Sequence, residues 1–147
     1  MTNEELVRAA CKAIWSDHDL DKADELYAPD FIAHYPSVAM PPVPPGPAGV
    51  KELARSILEG FPDYHETVED IVASGDRVAV RLTLRGTNTG PLADGTTTGK
   101  SIEFTDMTMV RIENGKIAEL WGLSDHITMM TQLGLFDATT PSPTETA

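Results

Sequence analysis

Apolar positions recur at two different periods along this chain, and the change falls near residue 64. In the N-terminal part the spacing is helical. Thr2 followed by Glu5 forms a capping box, and Val7, Cys11 and Ile14 then return on one face, which predicts a helix from about residue 3 to 15. After the polar break Ser16–Asp19, Leu20, Ala23, Leu26 and Tyr27 predict a second helix, ended by Pro29. Residues 31–35 read as a short extended segment. Residues 36–47 contain six prolines and read as a rigid surface loop. Val50, Leu53, Ala54, Ile57 and Leu58 give an amphipathic helix closed by Gly60 and Pro62.

From residue 64 the period is two. Residues 64–74 read as a strand, Gly75-Asp76 as a turn, and Val78, Val80, Leu82 and Leu84 as the apolar face of a longer strand. A loop rich in Gly and Thr spans 86–99. Asn114-Gly115 between alternating runs is a strong hairpin signal, because both turn positions need positive φ. A two-residue loop there pairs Glu113 with Lys116 and Ile112 with Ile117. Extended without interruption, the pairing sets Val110 against Glu119, Thr108 against Trp121, Asp106 against Leu123 and Phe104 against Asp125, all on one face. Asp106 and Asp125 become diagonal neighbours roughly 7–8 Å apart. A helix over about 127–133, stopped by Gly134, comes next, and the polar tail 138–147 reads as disordered. Helices first and strands later predict one α+β domain over residues 1–137, an antiparallel sheet curled around helices with a pocket between them.

Composition narrows the partners. The chain has 147 residues, 41% of them hydrophobic, enough to bury about two-thirds of its unfolded surface in one domain. Its net charge of −12, from 23 acidic and 11 basic side chains, disfavours nucleic acid and anionic membrane. No apolar run approaches the ~18 residues of a membrane span. The start lacks the regions of a signal peptide, and the single Cys11 leaves no internal disulfide, so a cytoplasmic setting is expected. No pair of histidines shows metal-ligand spacing, and no nucleotide-binding loop is present, so neither metal nor cofactor is expected.

The candidate chemistry lies in the hairpin. Asp125 precedes the last helix, and it or Ser124 could cap that helix. Beside Trp121, Asp125 would instead be desolvated and usable for proton transfer near neutrality. Asp106 would add like-charge repulsion, or else face solvent or pair with Arg81 or Arg111. His34 reads as a buried hydrogen-bonded residue or a pocket base. Glu119 reads as exposed charge. His126 should point away from Asp125 if the strand continues through it.

Several segments in order resemble the SnoaL-like polyketide cyclase (ester cyclase) family, of the cone-shaped superfamily that includes nuclear transport factor and ketosteroid isomerase. They are Phe31–His34, Gly60–Asp63, Gly75–Arg81, Gly86–Gly90, Thr98–Lys100, Arg111 with Gly115–Ile117, Glu119, Trp121 and Asp125, and Gln132–Gly134. The resemblance implies a curved sheet around N-terminal helices, a deep apolar pocket, a homodimer, and cofactor-independent intramolecular aldol closure of a hydrophobic carbonyl compound. It implies that Asp125 is the general acid/base and that His34 lines the pocket. Asn88 and Thr108 stand where relatives often carry histidine. In this reading Asp106 or His34 donates to the oxyanion, while Phe104, Trp121 and Leu123 stand around the substrate. An epoxide hydrolase built from Asp106, Arg81 and Asp125, an isomerase, and a non-catalytic binding or dimerisation module are the alternatives.

Overall fold

A bulge of one residue in the last strand decides which side chains share the interior of this protein. The computed structural model describes residues 1–36 and 40–137, so the tail 138–147 and part of the proline-rich loop lie outside the described residues. Thr2 caps α1 (Asn3–Ala13) through the complete capping box with Glu5, and Leu6, Val7, Ala10 and Cys11 face the core. A 3₁₀ turn, Leu20–Lys22, leads into the single turn α2 (Ala23–Leu26). The chain then enters β1 (Tyr27–His34) instead of prolonging the helix to Pro29. Pro29 is tolerated there because β1 is an edge strand whose pairing is interrupted between Tyr27 and Ile32. Helix α3 (Gly46–Gly60) buries Val50, Leu53 and Ala54.

The remaining strands are β2 (His65–Ser74), β3 (Arg77–Thr87), β4 (Ser101–Glu113) and β5 (Lys116–Ser124), followed by α4 (His126–Gln132). They form one sheet in the order β1-β5-β4-β3-β2. Its pairs are antiparallel except β1 with β5, which run parallel. That departs from the wholly antiparallel expectation; the intervening chain supplies the long crossover a parallel pair requires. Val78, Val80, Leu82 and Leu84 of β3 and Ile102, Phe104, Val110 and Ile112 of β4 line the inner face against α1 and α3.

At the hairpin tip Asn114 and Gly115 have φ of 52° and 73°, as the turn requires. Glu113 faces Lys116 and Ile112 faces Ile117. The register then shifts: Arg111 pairs with Glu119, and Ala118 is the extra residue. Beyond it every side chain of β5 changes face relative to the uninterrupted pairing. Trp121 lies opposite Met109, Leu123 opposite Met107, and Ser124, not Leu123, opposite Asp106. Ile117 and Ala118 are both buried, consecutive inward residues that mark the bulge.

Candidate active site

Between the inner face of the sheet and the helices is a cavity of about 260 Å³, with largely apolar walls from α1, α3 and the sheet. Its polar wall is built from Asp106 and Thr108 of β4, Ser124 of β5, Tyr64 and Glu66 at the start of β2, and His126 at the start of α4. No lysine or arginine lines it among the described residues.

Asp106 is 6% exposed. Thr108 Oγ1 donates to its Oδ1 at 2.5 Å, and Ser124 Oγ donates to its Oδ2. Two hydroxyl donors, one on each carboxylate oxygen, fix the orientation of the carboxyl. Glu66 is the second acid. It is half-buried and lines the cavity, and burial, reinforced by the Asp106 charge, pushes its carboxyl up to about 8. The hydroxyl of Tyr64 donates to Glu66 Oε1 at 3.0 Å and partly offsets that rise. At neutral pH Glu66 is therefore a protonated donor. His126 stands 6.2 Å from the Phe104 ring, and burial draws its imidazole below the ordinary histidine range.

The sequence-predicted residues divide between two faces of the sheet. Asp106, Thr108 and Phe104 stand in the cavity wall. Trp121, Leu123 and His34 are on the opposite face, because the Ala118 bulge turns the first two outward. There His34 Nε2 donates to Glu119 Oε2 at 2.7 Å, its ring stacked on Trp121 at 5.4 Å between centroids. The guanidinium of Arg77 lies 5.0 Å from the Trp121 ring. Arg81 is exposed on that outer face beside Met107, so the Asp106–Arg81–Asp125 trio of an epoxide hydrolase does not assemble. Asn88 is fully buried but does not line the cavity. Its amide donates to Gly60 O and Gly90 O, and its oxygen accepts from Thr98 N and Oγ1, fastening the 88–99 loop to the end of α3.

Asp125 requires the largest correction. It is the N-cap of α4, its side chain exposed, accepting from Thr128 N at 3.1 Å and Thr128 Oγ1 at 2.6 Å. Those bonds, the hydroxyl first, hold its carboxyl below the usual range. Neither Trp121 nor the cavity desolvates it. Asp125→Ala should lower the melting temperature by roughly 3 °C through loss of the cap. Asp125→Asn, which keeps a capping oxygen, should leave turnover within about twofold of wild type; a scanning calorimeter and a rate assay check the two statements. The sequence pattern assigns no site role to Glu66 or Tyr64, and to Ser124 only that of a possible helix cap. Tyr64, Glu66 and Val68 share one side of a period-two run, and an acid on an otherwise apolar inward side was the available signal.

Among the described residues no group of three or more His, Cys, Asp or Glu side chains is arranged to hold a metal ion. No described helix is long and apolar enough to cross a membrane. A model of the SnoaL-like polyketide cyclase family matches residues 5–133. The chain belongs to that family. Within it, the chain is 35% identical to IdmH of Streptomyces antibioticus, a proposed polyketide cyclase, over 88% of this chain and 96% of that one, with a TM-score of 0.76. A proposed polyketide cyclase from Bacillus cereus is 29% identical over 90% of this chain and 83% of its own, with a TM-score of 0.73. AclR of Streptomyces galilaeus, a proposed hydroxylase, shares the fold at 23% identity, covering 98% of this chain and 93% of that one (TM-score 0.76). No curated protein matches. Membership of the SnoaL-like family supports a cyclase-type role on a small molecule.

Proposed function

We propose that this SnoaL-like protein is a cofactor-independent enzyme that enolises a neutral, hydrophobic carbonyl compound and closes a ring by intramolecular aldol addition, with Asp106 and not Asp125 as the base. Asp106 takes the proton α to a carbonyl. The resulting enolate carbon attacks a second carbonyl of the same molecule, and Glu66 gives a hydrogen bond, then its proton, to the alkoxide that forms. The proton on Asp106 returns to Glu66 through the cavity or through water. The observation that supports this reading is the pair of acids in one cavity with opposed environments: one receives two hydroxyl donors, the other is held protonated by burial. Two acids in one cavity, one held by two hydroxyl donors and the other raised by burial, can divide the acid and base roles of a reaction. The absence of lysine and arginine from the described wall favours an uncharged substrate.

The test uses 1-tetralone, a bicyclic ketone with exchangeable α-protons. Wild-type protein in D₂O should accelerate α-hydrogen exchange, followed by proton NMR, by at least about 10²-fold over buffer at the same pH. An uncatalysed rate would end the proposal.

The proposed enzyme is a homodimer. Met107 at 55%, Leu123 at 60% and Val72 at 63% exposure lie with Met109 on the outer face. Val72, Ala79, Met109 and Trp121 run as one row across four strands. An apolar band of this breadth suits a second copy of the chain. Met109→Lys should shift the species seen by light scattering from dimer to monomer, and a monomeric wild type would refute the assembly.

A further inference from the structure

Three tyrosines stand around the cavity, and two have partners for their hydroxyls. Tyr27 accepts from Trp15 Nε1 at 3.4 Å, and Tyr64 donates to Glu66. Tyr35 differs. Among the described residues no hydrogen bond reaches its hydroxyl. Its ring belongs both to the cavity wall and to the outer groove, forming the partition where β1 ends. Its hydroxyl is carried by a ring that lies over Gly122, whose strand partner Thr108 lines the cavity. Burial above all pushes the hydroxyl well above the ordinary tyrosine range, so it is always a neutral donor. With no partner in the protein, the hydroxyl is not sealed among protein atoms and is open to a ligand in the cavity that Tyr35 lines. Beside two acids in a ligand-sized cavity, it fits an acceptor oxygen supplied from outside.

The ring is seated by Gly122. A Cβ at that position would lie 2.7 Å from Tyr35 Cε1 and 3.1 Å from Cδ1. Glycine in the middle of β5 weakens a strand without another gain, and close approach of a ring is the gain here.

We propose that Tyr35 is a substrate-binding residue whose hydroxyl donates to the carbonyl oxygen of the substrate, and that Gly122 is the positioning residue that lets its ring stand there. The inference rests on the enolising reading of the cavity, for which it supplies the donor that holds the carbonyl before and after the proton leaves. Aligned with Asp106, such a donor acts where negative charge grows.

The test compares 1-tetralone with tetralin, the same bicycle without a carbonyl, by isothermal titration calorimetry. Wild type should bind the ketone more tightly than the hydrocarbon. Tyr35→Phe should weaken 1-tetralone about 3–10-fold, the usual span for one neutral hydrogen bond, and leave tetralin unchanged. Gly122→Ala should produce the same selective loss by displacing the ring, with the melting temperature reporting that the fold persists. Equal losses for both ligands, no loss for either, or no preference in wild type would overturn the role of Tyr35; full discrimination in Gly122→Ala would overturn the seating. The exchange experiment stands apart from this one. Tyr35-dependent binding without exchange would refute the enolising chemistry alone, whereas catalysed exchange with an indifferent Tyr35→Phe would refute only the donor.

Discussion

Asp106→Asn is expected to lower the α-exchange rate of 1-tetralone by at least about 10²-fold, the usual loss when a positioned general base is removed. The amide keeps the shape of the carboxylate but has no oxygen basic enough to take a carbon-bound proton. Folding should survive, because Thr108 and Ser124 carry hydroxyls that can rotate to accept from the new NH₂ as readily as they donate to the acid. Retention of the native melting transition therefore belongs in the same experiment. The coupling of the two acids has a second consequence. The Asp106 charge contributes to the rise of Glu66, so in Asp106→Asn the carboxyl of Glu66 should titrate at lower pH than in wild type. A carbon-13 NMR titration of labelled glutamate reads that shift without any activity. A variant that keeps its rate would exclude Asp106 as the base, and the Asp125→Asn control shows whether the sequence-based assignment was the better one.

The difference between those two aspartates is beyond the reach of alternation alone. The hairpin is legible, since Asn114-Gly115 fixes a turn and the pairing of Ile112 with Ile117 comes with it. So are α1, through its capping box, and β3, through four alternate apolar residues. Past the turn, the facing of β5 depends on Ala118. Ile117 and Ala118 are both apolar, so neither phase of the pattern is violated, and no glycine or proline flags the extra residue. Counting straight through it carries Trp121, Leu123 and Asp125 to the face of Asp106, although the structure places them outside. Asp106 escapes the error because it precedes the turn on β4, where β3 fixes its phase independently: Leu82, which is buried, pairs with it. Asn88 shows a different limit. A buried amide can serve a ligand or a loop, and only the positions of Gly60 and Thr98 reveal that its donors and acceptor are spent on backbone and loop. Glu66 is hidden because β2 is the outermost strand and mostly exposed, so its alternation is faint.

Glu66→Gln is expected to change both the pH profile of activity and the pH dependence of stability. In wild type the acid must hold its proton to donate, so kcat/KM should fall as pH rises through about 8. Glutamine can offer an N–H but cannot surrender a proton, so turnover at pH 7 should drop by about 10–10²-fold and the alkaline limb should vanish. The stability effect runs in a defined direction. Unfolded, Glu66 titrates near 4.5; folded, near 8. Below the lower value both states hold the proton and the native state has the full benefit of burying a neutral group. Between the two values the unfolded chain releases its proton while the native state keeps it, so stability falls as pH rises, with a limiting slope of about 1.4 kcal/mol per pH unit. Above the folded value the contribution is gone. Glutamine does not titrate, so urea denaturation of wild type and Glu66→Gln between pH 5 and 8 should give curves that diverge in that window, the variant gaining relative to wild type as pH rises. The depressed carboxyls of Asp63 and Asp125 titrate below that window and cancel in the difference. Parallel curves would mean that Glu66 is already ionised in the folded protein, which would remove the proton donor from the proposed mechanism.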